Sequence, residues 1–159
     1  MLSDPTASVT IRAATHADIA SIESIERTAF ADPWSGRSFE GILENGSAYF
    51  GVACDSVGQA IRGYVVAWFV IDECEVANLA VRPGDWGRGI GGRLLDAALA
   101  AAQEKGSVAV YLEMRDSNVR ARQLYGSRGF EEMARRRDYY QRPTEDAVVW
   151  RKLLGAEVK

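Results

Sequence analysis

Apolar residues near the start of the chain recur at the spacings of strands and helices. Val9–Arg12 is typical of a short strand, and Thr15 with Asp18 three residues later has the pattern of a helix start. The apolar positions that follow recur every three or four residues, which predicts one face of a helix. They are Ile19, Ile22, Ile25, Ala29 and Phe30. Ser35 is then placed to cap a second short helix that ends near Glu44.

The next segments have the pattern of a β-hairpin and a further strand. Ala48–Cys54 and Ile61–Ile71 are strand-like runs on either side of the turn-rich segment Asp55–Gln59. Glu75–Val81 is a third strand, and its apolar end is nearly continuous. Such a run is typical of a central strand that is covered on both faces.

A strand–loop–helix–strand unit follows. Arg82–Gly92 is rich in glycine, and the apolar face that starts at Ile90 predicts a helix that is capped by Lys105–Gly106. Val108–Met114 is the next strand. A strand, a helix and a strand in this order form a βαβ unit, so the two strands are expected to be parallel.

The last third of the chain completes the predicted fold. Ser117 is placed to cap a helix that ends near Arg128. Phe130–Arg137 and Ala147–Leu153 form a final pair of strands around Arg142–Pro143. The order βααβββαβαββ predicts an α/β protein with a mixed sheet, and the length of 159 residues favours one domain over residues 1–159.

Composition narrows the possible functions. The hydrophobic fraction of 47% supports a real core, and the net charge of −3 lacks the basic footprint of a nucleic-acid-binding protein. One histidine and two cysteines without a CxxC pair give no basis for a metal site. Met1–Ser8 has no export signal, and the longest apolar stretch, Tyr64–Ile71, is too short to span a membrane. We therefore expect a cytoplasmic protein with no metal, no membrane partner and no required nucleic acid.

The glycine-rich loop is the strongest chemical signal. A strand that runs into Gly87, Gly89, Gly91 and Gly92 and then into a helix can direct several backbone N–H groups at one anion. Arg88 adds a possible charge-assisted contact. No Gly-Lys-Ser/Thr follows, so it is not a Walker loop, and the spacing does not match a dinucleotide fingerprint. An ordinary glycine-rich turn is the alternative.

Two further residues are candidates for chemistry. Glu113 lies at the end of a predicted parallel strand, where ligands bind in open α/β sheets, and we expect it to be partly buried. The alternative is a surface carboxylate paired with Arg115 or Arg137. Tyr125 lies on the following helix, on the face that also carries Asn118. For Tyr125 the alternative is a tyrosine that only fills the core.

These elements, in this order, resemble the GNAT superfamily of N-acetyltransferases. The segment Trp86–Gly91 is similar to its acetyl-coenzyme A motif, Gln/Arg-x-x-Gly-x-Gly/Ala. Trp86 departs from the pattern, because the family usually has Gln or Arg at that position. The resemblance implies a mixed, mostly antiparallel sheet of about seven strands with a central parallel βαβ unit that binds the cofactor, and about four helices.

The chain further resembles the RimI-type ribosomal-protein-alanine N-acetyltransferases. Four sets of segments carry this likeness: Ala29–Phe30 with Pro33–Ser35; Asp72–Val81; Leu112–Arg115 with Ser117–Asn118, Leu124–Tyr125 and Gly129–Phe130; and Arg137 and Tyr139–Tyr140 with Glu145–Ala147.

The resemblance implies a role for particular residues. Glu113 would be the general base, and Tyr125 the general acid or a group that only orients the sulfur. The residues implied to bind acetyl-coenzyme A are Leu79, Ala80 and Val81 along the pantetheine arm, the loop residues Gly87, Arg88, Gly89, Ile90, Gly91 and Gly92, and Asn118. Those implied to bind the acceptor are Trp34, Ser35, Tyr139 and Tyr140. For Trp34, packing between two helices is the alternative.

The implied activity is acetyl transfer from acetyl-coenzyme A to the N-terminal α-amine of a protein, with alanine of a ribosomal protein as the expected acceptor. No metal and no covalent enzyme intermediate is implied. Two alternatives stay open. One is another GNAT acceptor, such as an internal lysine, a polyamine, an aminoglycoside or an amino acid. The other is an acyl-coenzyme A-binding module without turnover. The oligomeric state cannot be predicted from the sequence.

Overall fold

This computed structural model describes residues 8–57 and 60–155 of the chain. This part contains seven strands and four α-helices. The strands are β1 Val9–Ala13, β2 Ala48–Asp55, β3 Ile61–Val70, β4 Glu73–Val81, β5 Ala109–Arg115, β6 Glu131–Tyr140 and β7 Glu145–Leu153. The helices are α1 Ile19–Ala29, α2 Gly36–Leu43, α3 Ile90–Glu104 and α4 Val119–Ser127. The predicted order is confirmed. The last two residues of the predicted turn, Gly58–Gln59, and most of the segment Met1–Ser8 lie outside the described residues.

The strands form one mixed sheet in the order β1-β2-β3-β4-β5-β7-β6. Only β4 and β5 are parallel, as the βαβ pattern predicts, and all other neighbours are antiparallel. The parallel pair is short, because Glu73–Glu75 alone pair with Ala109–Tyr111. Beyond these residues β4 and β5 separate, which opens a gap in the middle of the sheet.

Each face of the sheet has its own apolar core. Tyr64 and Val66 of β3 pack with α1 and α2 on one face, whereas Val65 and Ala67 pack with α3 and α4 on the other. All four residues are fully buried. Burial of one such aliphatic side chain contributes about 1.5–3 kcal/mol, so two-sided burial holds the centre of the sheet in place.

Three local predictions need correction. Ala29 and Phe30 do not extend the buried stripe of α1, since both are exposed, whereas Glu26 is buried there. Asn118 rather than Ser117 caps α4, and its Oδ1 accepts a hydrogen bond from the N–H of Ala121 at 3.0 Å. β6 continues to Tyr140, three residues beyond the predicted end.

Candidate active site

A β-bulge in β4 directs its backbone toward the gap. The register pairs Val66 with Asn78 but Ala67 with Val76, which leaves Ala77 as the extra residue. At the end of the strand, the N–H of Arg82 donates to the carbonyl of Arg62. Hydrogen-bonded pairs alternate along an antiparallel ladder, so Leu79 and Val81 direct their N–H and C=O groups away from β3.

Only two of the three residues implied to contact the pantetheine arm therefore offer backbone groups to the gap. Ala80 pairs with Tyr64, so its own N–H and C=O face β3. The carbonyl of Val81 already accepts a hydrogen bond from the indole N–H of Trp86 at 2.9 Å. The backbone groups of Leu79 and the N–H of Val81 are left to pair with an extended ligand.

The larger of two adjoining cavities, of about 420 Å³, lies between the end of β4, the glycine loop and α4. Gly87 and Gly89 line it with φ angles of 81° and 79°, a left-handed conformation that side chains other than glycine rarely adopt. Gly89 is the N-cap of α3. The start of α3 therefore presents unpaired N–H groups and a partial positive charge to the cavity, which suits a phosphate.

Arg88 does not line this cavity. Its guanidinium pairs instead with Asp85 at 3.0 Å, and Arg62 and Arg82 bind the same carboxylate. Asp85 is only 2% exposed, so a nearly buried anion fixes three cations behind the loop. The predicted contact between Arg88 and the cofactor would require this ion pair to rearrange.

The smaller cavity, of about 150 Å³, occupies the gap between β4 and β5. Val76–Leu79 line one side and Leu112–Arg115 the other, while Ala29–Ala31 and Tyr140 close the ends. Tyr125 lines both cavities. A group in the larger cavity and a group in the smaller one can therefore meet beside its phenol.

Tyr125 and Glu113 have contrasting surroundings. Tyr125 is 7% exposed, and burial raises the pKa of its hydroxyl well above the usual range. Its ring packs edge-on against Phe130 with centroids 5.4 Å apart. Glu113 lines the smaller cavity and its side chain is 31% exposed, which agrees with the expected partial burial, although the residue as a whole lies at the surface. Its carboxylate pairs with Arg136 at 3.2 Å, not with either arginine considered from the sequence.

Comparison with known proteins decides the family. Residues 18–130 match the model of the acetyltransferase (GNAT) family, which is more than half of the chain. This chain is a member of the GNAT acetyltransferase family. It is accordingly an acetyl-coenzyme A-dependent N-acetyltransferase.

Relatives of this acetyltransferase share a more specific name. The ribosomal protein bS18-alanine N-acetyltransferases of Salmonella typhimurium and Haemophilus influenzae are 35% and 36% identical to it. Each alignment covers 83% of this chain and 88% or 90% of the relative. The crystal structure of the ribosomal-protein-S18-alanine N-acetyltransferase from Escherichia coli superimposes with a TM-score of 0.81 at 28% identity, over 95% of this chain and 99% of that one.

The predicted acceptor residues of the acetyltransferase fall into two groups. Tyr140 lines the smaller cavity. The ring of Tyr139 packs edge-on against the ring of Tyr140, with centroids 5.2 Å apart. Trp34 and Ser35 line neither of the two cavities. The Trp34 ring lies 5.7 Å from Phe39, which fits the packing alternative, and Ser35 caps α2.

Sequence reasoning missed Glu26, a nearly buried carboxylate that is 1% exposed. It accepts hydrogen bonds from the Tyr64 hydroxyl, from Asn78 Nδ2 at 2.8 and 3.1 Å, and from the N–H of Trp34 at 2.8 Å. It thereby joins α1, β3, the bulge of β4 and the α1–α2 loop. A signal existed, because position 26 continues the buried stripe of Ile19 and Ile22, and a carboxylate on such a stripe needs partners.

Cys74 and the residue types that bind metals were also considered as candidates for chemistry. Cys74 is buried, and burial is the main reason that its pKa is raised to about 11, so its thiol stays protonated at neutral pH. No group of three or more His, Cys, Asp or Glu side chains in this part of the chain could hold a metal ion. Among the described helices, none is long and apolar enough to cross a membrane.

Proposed function

We propose that this acetyltransferase acetylates the N-terminal α-amine of a ribosomal protein that begins with alanine. The observation that carries the proposal is the junction of the two cavities at Tyr125, with Glu113 in the wall of the smaller one. Relatives at 35% and 36% identity that carry the name of bS18-alanine N-acetyltransferase support this acceptor. The small volume of the second cavity, beside Ala29, Ala31 and Ala77, favours a short side chain on the first residue.

In this proposal the larger cavity holds acetyl-coenzyme A. The N–H groups at the start of α3 bind its diphosphate, and Leu79 and Val81 pair with its pantetheine arm as an added strand would. Asn118 lines both cavities beside Tyr125. The proposed position of the thioester is the junction, where a backbone N–H of β4 polarises its carbonyl.

Glu113 acts on the amine. An α-amino group has a pKa of about 8 and is largely protonated at neutral pH, so it must lose a proton to attack. The proposal is that Glu113 accepts this proton through water, which contributes about 10²–10⁴-fold to the rate. The amine nitrogen then forms a bond with the acetyl carbon while the carbon–sulfur bond breaks.

Tyr125 acts on the leaving group. Its hydroxyl is protonated at neutral pH, as an ordinary tyrosine with a pKa of about 10 is, and burial raises its pKa further. It donates a hydrogen bond to the sulfur as negative charge develops there, and passes on its proton so that coenzyme A leaves as a thiol. The proton that the acetylated nitrogen gives up restores the hydroxyl through water. A coenzyme A thiolate is a tolerable leaving group, since an ordinary thiol has a pKa of about 8.5.

Acetyl mapping by mass spectrometry tests the acceptor. The substrate is a peptide with a free N-terminal alanine and one internal lysine, and its N-terminally blocked form is the control. We expect the acetyl group on the α-amine only, and no product from the blocked peptide. An acetyl group on lysine alone would keep the family and overturn the proposed acceptor.

Glu113→Gln tests the base. We expect kcat/KM for the peptide to fall about 100-fold or more, while acetyl-coenzyme A binding is retained. Glu131→Gln is the matched control, because Glu131 is an exposed glutamate that lines neither cavity. Equal activity of the two variants would remove Glu113 from the mechanism.

A further inference from the structure

Arg120 of α4 and Trp86 of the loop after β4 contact each other across the larger cavity. The guanidinium carbon lies 4.0 Å from the centroid of the indole ring, within the range of a cation–π interaction. Both residues line the cavity that carries Gly87 and Gly89. The pair therefore connects α4 to the loop on which the phosphate-binding N–H groups lie.

Trp86 is held in one orientation although it is 47% exposed. Its indole N–H donates to the carbonyl of Val81 at 2.9 Å, and Arg120 covers one face of the ring. An exposed tryptophan without such contacts would sample several rotamers. The ring is therefore a fixed platform for the cation above it.

Arg120 is also set apart by its charge environment. Asp85 and Arg120 are the two charged residues that line the larger cavity in the described part of the chain. Asp85 is bound by three arginines, whereas the described contacts of Arg120 include no carboxylate. A guanidinium over a ring keeps its N–H groups available, because this contact uses its charge rather than its donors.

We propose that Arg120, stacked on Trp86, binds a phosphate group of acetyl-coenzyme A in the larger cavity. The inference rests on the acetyl-coenzyme A site of the proposed function and adds a phosphate ligand supplied by α4. It also assigns a role to Trp86, which stands where the motif of the glycine loop usually has Gln or Arg: its ring positions the guanidinium of Arg120. The phosphate belongs either to the diphosphate or to the 3′-phosphate, which share this chemistry.

Calorimetric titration with coenzyme A tests the inference without turnover. Arg120→Met keeps the aliphatic stem and removes the charge, and we expect the Kd to rise at least about fivefold. Arg122→Met is the matched control, since Arg122 lies on the same helix, pairs with Asp116 and lines neither cavity. Raising the salt concentration is expected to weaken binding more in the wild type than in Arg120→Met.

Titration with 3′-dephospho-coenzyme A identifies the phosphate. If Arg120 binds the 3′-phosphate, the wild type and Arg120→Met will bind this analogue equally. If it binds the diphosphate, the difference between them will persist. Equal affinities of Arg120→Met and Arg122→Met for coenzyme A would overturn the inference and leave the proposed function standing. Failure of the wild type to bind coenzyme A would overturn both.

Variants of Trp86 test the platform. We expect Trp86→Ala to weaken coenzyme A binding nearly as much as Arg120→Met, and Trp86→Phe to weaken it less because a ring remains. We also expect coenzyme A to change the tryptophan fluorescence of the wild type and to leave that of Trp86→Phe unchanged. An unaltered Kd in Trp86→Ala would remove Trp86 from the site.

Discussion

The two cavities that meet at Tyr125 are built in different ways. The larger one is formed mostly by residues 79–92 and 118–125, and in the proposed function its ligand is bound by backbone groups of Leu79, Val81 and the glycine loop. The smaller one shares residues of α4 with the larger and otherwise draws on four distant segments, namely Ala29–Ala31, Val76–Leu79, Leu112–Arg115 and Tyr140. A ligand that every member of a family shares can be bound by backbone, whereas an acceptor that differs between members is bound by side chains and loops.

The stabilising contacts differ in the same way. In the wall of the larger cavity, Asp85 pairs with Arg82 and Arg88, each three residues away, and with Arg62, 23 residues away. Beside the smaller cavity, Glu26 joins segments that lie up to 52 residues apart. At the surface, Asp32 and Arg142 form an ion pair between the α1–α2 loop and the β6–β7 turn. We therefore expect the smaller cavity to respond more to distant substitutions than the larger one.

Removal of the Tyr125 hydroxyl is expected to have the largest effect. Tyr125→Phe keeps the packing of the ring against Phe130 but removes the proposed proton donor at the junction. We expect kcat to fall about 100-fold or more, with the affinity for acetyl-coenzyme A unchanged. Steady-state kinetics and calorimetry measure the two quantities. A loss of affinity with kcat intact would assign Tyr125 to the larger cavity alone.

The pH profile gives an independent check on Tyr125. The rate is expected to rise as the acceptor amine loses its proton near its pKa of about 8. Because burial raises the pKa of Tyr125, its hydroxyl stays protonated at pH values where an ordinary tyrosine, with a pKa of about 10, would ionise. We therefore expect kcat to show no decline up to about pH 10. A decline there in the wild type that is absent from Tyr125→Phe would contradict the buried environment of this group.

The larger cavity could be predicted from sequence because its signals are local. Strand and helix periods, the glycine spacing and a capping residue all lie within a few neighbouring residues, and they placed β4, α3 and β5 correctly. Even here, the cap of α4 was assigned to Ser117 instead of Asn118, since both residue types favour that position. The sequence places Arg88 at the ligand, because it does not show that Asp85, three residues earlier, is nearly buried and binds Arg88.

The smaller cavity could not be predicted to the same degree, because its contacts are distant in sequence. Phe30 fits the apolar stripe of α1, and only the arrangement of β4 and β5 shows that it lines a cavity instead. Glu26 accepts hydrogen bonds from Tyr64 and Asn78, which lie 38 and 52 residues away in the sequence. Periodicity indicates which side of a helix is buried but does not identify the partner of a buried carboxylate.

Glu26→Gln is expected to affect the two cavities unequally. The amide keeps the size of the side chain but replaces charge-assisted hydrogen bonds, which are about twice as strong as neutral ones. We expect the KM for the acceptor peptide to rise about tenfold, because the α1–α2 loop and Asn78 lose their common anchor. The Kd for acetyl-coenzyme A is expected to stay unchanged, as measured by calorimetry.

Glu40→Gln is the control for this substitution, because Glu40 is an exposed glutamate of α2. A thermal unfolding curve measures the stability that Glu26→Gln loses. The kinetics are then measured below the midpoint of that curve, where the variant is folded. If the Kd for acetyl-coenzyme A rose as much as the KM for the peptide, the two cavities would not be independent in the way that their construction suggests.

The ion pair between Asp32 and Arg142 is expected to have the smallest effect. Asp32 follows Ala31 and Arg142 lies two residues after Tyr140, so the pair joins two walls of the smaller cavity. Both side chains are largely exposed, and such pairs contribute about 0.2–1 kcal/mol, so Arg142→Ala should raise the acceptor KM by less than about fivefold. The double variant with Asp32→Ala should match either single one, and high salt should remove the difference from the wild type. If the effects of the two single substitutions on the acceptor KM instead add up in the double variant, each residue contacts the acceptor by itself. The surface pair would then belong to the binding site.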